Sequence, residues 1–262
     1  MVMTTENQLI KRLHSGSIRG IIFDFDGTLL DIREPLKKSI EEVYGEKNIK
    51  ADIDVTIREI GALMETIQSL PLPKILLGSH EMFKYITSLQ SITFLRKLQI
   101  ATKIFSKYLT YAKEAPFYPK AIEIIKKLKK SYDLFIVSHN QTRNVLEHLE
   151  NEKVENIFKE VYGADKLPIQ KPDPGALRPV FESYKSCKLD QFIMIGDMPS
   201  DIEAGKEAGI WTIGIASGVS SRETLAEFKP DLLIDSLDEF LDIIEKKSAT
   251  EPNVQKKLKI NS

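Results

Sequence analysis

From Pro119 to Ile244 the hydrophobic spacing switches between a helical period and short apolar runs, and few folds accept that alternation. Helical faces are carried by Ile122, Ile125 and Leu128, by Thr142 to Leu149, and by Leu177, Val180, Phe181 and Tyr184 from about Pro174. Two more follow, Ser200 to Ala208 with Gly209 as its cap and Leu237 to Ile244. Between them lie strand-like runs at Tyr132–Val137, Glu160–Tyr162, Phe192–Ile195, Trp211–Ile215 and Leu232–Ile234. One further run, Ile21-Ile22-Phe23 within Ile18–Phe25, stands near the start. Apolar runs closed by turn residues suit strands buried on both faces. Their alternation with helices predicts an α/β chain with an open parallel sheet and helices on both sides.

The stretch between the first run and Pro119 reads differently. Leu36, Ile40, Val43 and Tyr44 share a helical face behind Pro35, and Ile57, Ile60, Met64 and Ile67 form a second stripe. A Pro-rich break at Leu70–Pro73 precedes a long amphipathic stretch from about Gly78 to Ala112. No strand pattern interrupts it, so an all-helical insertion follows the first strand. The 262 residues suit one large domain or two smaller ones. With 37 Lys+Arg against 38 Asp+Glu, the net charge of −1 excludes the strongly basic balance of a general nucleic-acid binder. A single cysteine, Cys187, excludes an intramolecular disulfide framework or Cys-rich zinc site and reads as a bystander thiol. Met1–Ser17 lacks the apolar run of a secretory signal, and no segment approaches ~18 uninterrupted apolar residues. The expectation is a cytoplasmic protein with no membrane or nucleic-acid partner.

Open α/β sheets bind ligands at the carboxyl ends of their strands. Here those ends carry Asp24-Phe25-Asp26-Gly27-Thr28, Ser138-His139-Asn140 and Gly196-Asp197-Met198-Pro199-Ser200-Asp201, with Lys171-Pro172-Asp173-Pro174 before a helix. One rim would then gather four carboxylates, a hydroxyl and a lysine. Close carboxylates repel unless a cation joins them, and all-oxygen ligands with open positions suit Mg²⁺. A carboxylate can also serve as a nucleophile toward phosphorus.

These motifs resemble, in order and spacing, those of the haloacid dehalogenase-like phosphohydrolase superfamily, from about Ile18 to Ser217. The branch most similar is that of the phosphoglycolate phosphatases, with a helical cap inserted after the first strand. The resemblance implies a Rossmann-like core over residues 18–32 and 113–245, a cap over 33–112, an extension at 1–17 and a tail at 246–262. It also implies a division of labour. Asp24 would attack phosphorus, and Asp26 would protonate the leaving group and then activate water. Asp24, the backbone carbonyl of Asp26, and Asp197 would hold Mg²⁺, with Asp201 beside them. Ser138 and Lys171 would bind phosphoryl oxygens, and Gly27 would let nearby amides reach them. His139 and Asn140 join the phosphate-binding candidates by position. The side chain after Ser138 on a strand points the other way, which favours a packing or supporting role for His139.

Each motif alone has a plainer reading. Ser138 could cap the next helix, Asp201 could answer a helix dipole, and Lys171-Pro172 could be loop. Gly214, Ser217 and Gly218 fit no dinucleotide fingerprint and read as a strand-to-loop turn. The insertion carries Phe83, Tyr85, Phe94, Phe105, Tyr108 and Tyr111 with scattered Arg58, Lys84 and Lys103. Some would line the substrate pocket, and Arg96-Lys97 is a candidate for a second anionic group. The resulting expectation is a Mg²⁺-dependent phosphatase of small phosphomonoesters, phosphoglycolate among them, hinged at Leu29–Arg33 and Lys113–Pro119. The alternatives are a β-phosphoglucomutase-like mutase and a catalytically silent binding protein. A monomer and a homodimer are equally compatible with the sequence.

Overall fold

The computed structural model describes residues 4–68, 86–182 and 184–246, with only the backbone of 61–68. Its centre is a six-stranded parallel sheet of β1 (Gly20–Phe23), β2 (Asp133–Val137), β3 (Phe158–Tyr162), β4 (Phe192–Gly196), β5 (Trp211–Ile215) and β6 (Leu232–Ile234). The order is β3-β2-β1-β4-β5-β6. The chain winds outward from β1 in both directions, so the switch point lies between β1 and β4. Phe23 pairs with Ile136 on one side and Ile195 on the other, which sets the carboxyl ends of β1, β2 and β4 level.

Alternate strand residues face opposite layers, as the two-residue period demands. Ile21, Phe23, Leu134, Ile136, Ile193 and Ile195 meet α5 (Ala121–Leu128), α6 (Thr142–Asn151) and α10 (Leu237–Glu245). Ile22, Phe135, Val137, Phe192 and Met194 meet a 3-10 turn at Pro174–Leu177, α7 (Arg178–Glu182) and α8 (Pro199–Glu207). A short α9 (Arg222–Glu227) follows β5. The helix expected from Pro174 is therefore split. Pro179 has no N–H to give Gly175, and the first turn closes instead through Arg178 N–H on the Gly175 carbonyl. Gly209 takes φ +75° just beyond α8, as a helix stop requires.

Before β1, α1 (Thr5–His14) does not stand apart as an extension. Leu9 and Leu13, four residues apart, are buried in the main core, and Arg12 reaches Asp190 at 2.6 Å.

Residues between β1 and α5 form α2 (Arg33–Lys47), α3 (Ile53–Gln68) and α4 (Phe94–Ala112). Ile40, Val43, Tyr44, Ile57, Ile100 and Ile104 make a separate apolar core among them. The amphipathic stretch expected to run on to Ala112 breaks at a 3-10 turn, Thr87–Leu89, and α4 starts only after extended Thr93. Ser and Thr between 87 and 93 compete for backbone partners, which favours a turn over a continuous helix. The Pro-rich break at 70–73, the stretch 78–85 with Phe83, Lys84 and Tyr85, and the tail beyond 246 lie outside the described residues.

The two connections to the sheet run side by side. Leu30 bridges Phe117, Asp31 N–H donates to the Pro116 carbonyl at 2.8 Å, and Tyr118 N–H donates to Leu29 at 2.9 Å. Among the described residues, no helix is long and apolar enough to cross a membrane.

Candidate active site

Asp24 directly follows β1 and is 5% exposed. Lys171 lies between β3 and β4 and is wholly enclosed. Its Nζ donates to Asp24 Oδ1 at 2.8 Å, Asp201 Oδ1 at 2.5 Å and the Val137 carbonyl at 2.9 Å. All three ammonium donors are thus used. Burial alone would lower Lys171, but Asp201 and Asp24 outweigh it and hold the ammonium above its ordinary value. Lysine at this position neutralises charge and fixes the rotation of Asp24. Asp24 Oδ2 accepts no hydrogen bond from the described residues.

Asp197 follows β4 and is fully buried. Its Oδ1 accepts from Thr28 Oγ1 at 3.2 Å and its Oδ2 from Val219 N–H at 2.8 Å. Burial first, then Asp24 and Asp201, raise its carboxyl well above the ordinary range. Asp201, in the first turn of α8, accepts Met198 N–H at 3.0 Å and also pairs with Lys171. It therefore serves both as helix cap and as counter-ion. Burial and Asp24 raise it, Lys171 opposes them, and it stands at about 6.

Oxygens of Asp24, Asp197 and Asp201 lie within 4.8 Å of one another. Three buried carboxylates balanced by one ammonium leave an excess of negative charge, which fits a hard divalent cation taking oxygen ligands. Glycine keeps the space around Asp197 open. A Cβ on Gly27, at φ +85°, would come 2.2 Å from its Oδ2, and one on Gly218 2.0 Å. Gly218, a plain turn in the sequence, is thus part of the acidic wall.

Asp26 is half-buried beside this cluster. Burial and the Asp24 charge push its carboxyl up to about 7, against the hydrogen bond from Asn140. That bond, Asn140 Nδ2 to Asp26 Oδ2, measures 3.0 Å. Asn140 N–H in turn donates to Ser138 Oγ at 3.1 Å, a local turn at the end of β2. Asn140 thus orients Asp26, a contact no spacing announces across 114 residues. His139 Nε2 hydrogen-bonds the Lys171 carbonyl at 3.0 Å. Burial and nearby Lys171 lower its pKa. His139 steadies the lysine loop in this geometry. Ser138 does not cap α6, whose N-cap residue is Gln141 and carries no side-chain cap bond.

A cavity of 590 Å³ opens over Asp24, Asp26, Ser138, Asp197 and Asp201. Its far walls are Tyr108, Leu109, Thr110, Ala112 and Lys113 at the end of α4 and Asn144, Glu147, His148 and Asn151 from α6. Of the aromatic residues named in the insertion, Tyr108 lines it. Phe105 is exposed, Phe94 packs in the insert and Tyr111 bonds Glu42. Arg58, Arg96, Lys97 and Lys103 are not on its walls, and Lys97 is buried elsewhere. The side-chain identities suggested an anion site; helix rotation turns those residues away.

The family model of the haloacid dehalogenase-like hydrolases matches residues 21–215. A phosphoglycolate phosphatase of Vibrio cholerae is 26% identical over 232 residues, 87% of this chain and 97% of that protein. The pyrophosphatase PpaX of Listeria monocytogenes is 28% identical over 234 residues, 88% and 98% of the two chains. Among solved structures, the hydrolase YfnB of Bacillus subtilis, described as bound to magnesium, superposes with a TM-score of 0.62. It shows 20% identity, over 87% of this chain and 99% of that one.

Proposed function

The chain belongs to the haloacid dehalogenase-like hydrolases, and from that premise we propose that it is a Mg²⁺-dependent phosphatase of small phosphomonoesters. The carrying observation is Asp24, Asp197 and Asp201 converging with Lys171, and Asp26 adjacent. The names of the two relatives support a phosphoryl substrate. Mg²⁺ would be held by Asp24, the Asp26 carbonyl and Asp197, with Asp201 behind them. When bound, it supplies positive charge to the phosphoryl oxygens.

Lys171 holds Asp24 Oδ1, so Oδ2 is the attacking atom. The Asp24–phosphorus bond forms as the ester P–O bond breaks, and the departing alkoxide takes the proton of Asp26. A carboxyl near 7 is protonated in about half of the molecules at neutral pH, which suits a group that both gives and takes a proton. Asp26, now ionised, then takes a proton from water as the water oxygen bonds phosphorus. The acyl phosphate breaks, phosphate leaves and both aspartates return to their starting states. Ser138 and nearby amides receive the phosphoryl oxygens. The helical insert acts as a cap over residues 33–112, closing on the paired linkers and excluding bulk water. Small esters in a cytoplasmic setting fit such a cap.

The test is phosphate release from an ester panel including phosphoglycolate, pyrophosphate and p-nitrophenyl phosphate, with and without Mg²⁺. Asp24→Asn should lower kcat at least ~10³-fold on every ester while the melting temperature stays near wild type. Full turnover by that variant would overturn the nucleophile. Isomerisation of hexose phosphates exceeding phosphate release would make the protein a mutase.

A further inference from the structure

Resting on that phosphatase reading, we infer that the leaving group is an uncharged, hydroxyl-bearing alcohol, seated between Tyr108 of α4 and His148 of α6. The alcohol departs from Asp26, so its body lies in the part of the cavity beyond that carboxyl. Asn140 ties Asp26 to this region, because its Oδ1 accepts from Asn144 Nδ2 at 2.9 Å. Two half-buried polar side chains line the cavity there, Tyr108 from α4 and His148 from α6. The Tyr108 hydroxyl makes no hydrogen bond with the described residues, and it lies close enough to Asp26 for that carboxylate to oppose its ionisation. It stays a neutral phenol. His148 stands beside the Ala112 backbone and rests against Phe25, ring centroids 5.9 Å apart. Burial lowers its pKa and favours neutral imidazole.

The sheltered subsite therefore offers neutral donors and acceptors, which suit hydroxyls. Among the described residues, charges stand at its rim. Glu147 is exposed and pairs with Arg143 at 2.8 Å, and Lys113 is exposed, where solvent screens it. A second carboxylate on the leaving group, as in phosphoglycolate, would meet no buried cation among the described residues of this subsite and would approach Asp26 and Glu147. A glycerol-like or sugar-like alcohol would not.

The test compares kcat/KM for glycerol 1-phosphate and hexose phosphates with that for phosphoglycolate, using p-nitrophenyl phosphate as the minimal ester. The hydroxylated esters should exceed phosphoglycolate about 10-fold or more. Tyr108→Phe, which keeps the ring, should raise KM for the hydroxylated esters about 5-fold and shift KM for p-nitrophenyl phosphate, whose leaving group lacks those hydroxyls, by less. His148→Gln should act the same way, and its melting curve separates a folding defect from lost binding. Preference for phosphoglycolate overturns the inference and leaves the phosphatase reading intact. Equal KM values in wild type and Tyr108→Phe also overturn it. No release from any ester, p-nitrophenyl phosphate included, removes both.

Discussion

At the sheet rim Asp24, Asp197, Asp201 and Lys171 are buried close together, whereas on the insert Glu42 and Glu46 meet Lys103 and Lys107 in solvent. Both regions pair acids with lysines, yet the physics differs. Buried charges repel strongly and must be matched, while exposed ones are screened and cost side-chain entropy to hold. The rim's pairing is consequently a matter of backbone register, with β1, β2 and β4 ending level. The insert's pairing depends on two helices lying alongside each other.

Lys171→Met is the sharpest way to break this contrast. It strands Asp24 and Asp201, and in metal-free protein at neutral pH it should cost roughly 3–5 kcal/mol in urea unfolding. An unchanged midpoint would mean the rim tolerates its charges without a partner. A smaller effect comes from pH and Mg²⁺. Asp197 and Asp201 are raised, so the metal-free folded state favours their protonated forms and loses that stabilisation as pH climbs through the folded values. Metal-free protein should therefore melt lower at pH 7.5 than at pH 5. Mg²⁺, which needs the ionised carboxylates, should raise the melting temperature by several degrees at pH 7.5 and much less at pH 5. Calorimetry at both pH values checks the sign. The smallest effect belongs to the insert. Glu46→Ala should leave melting and turnover within experimental scatter, even at low salt, and a clear loss would show that solvent does not screen the insert's pairs.

Much of the sheet is legible in the sequence because buried parallel strands are short apolar runs that stop at turn residues. Trp211–Ile215 and Leu232–Ile234 have the expected limits. The site's acids are legible because each follows such a run. What escapes is whatever depends on chain segments meeting. Asn140 is a phosphate-binding candidate by position, and its bond to Asp26 is visible only in the structure, while the supporting role favoured for His139 fits its bond to the Lys171 carbonyl. Helical periodicity marks a buried face without saying which neighbour it faces. For that reason Arg96-Lys97 draws notice in the sequence while Tyr108 carries the cavity wall. Similarly, residues 1–17 read as an extension, and only the packing of α1 against β6 and α10 shows Leu9 and Leu13 to be core.

The side-by-side linkers have a consequence for modularity. Leu30 and Phe117 stand opposite each other, so the helical insert departs and returns through one doorway. Any segment whose two ends sit that close could be plugged in there without disturbing the strands beneath. The catalytic platform and the selectivity of the enzyme can then change hands separately, by exchanging one cassette.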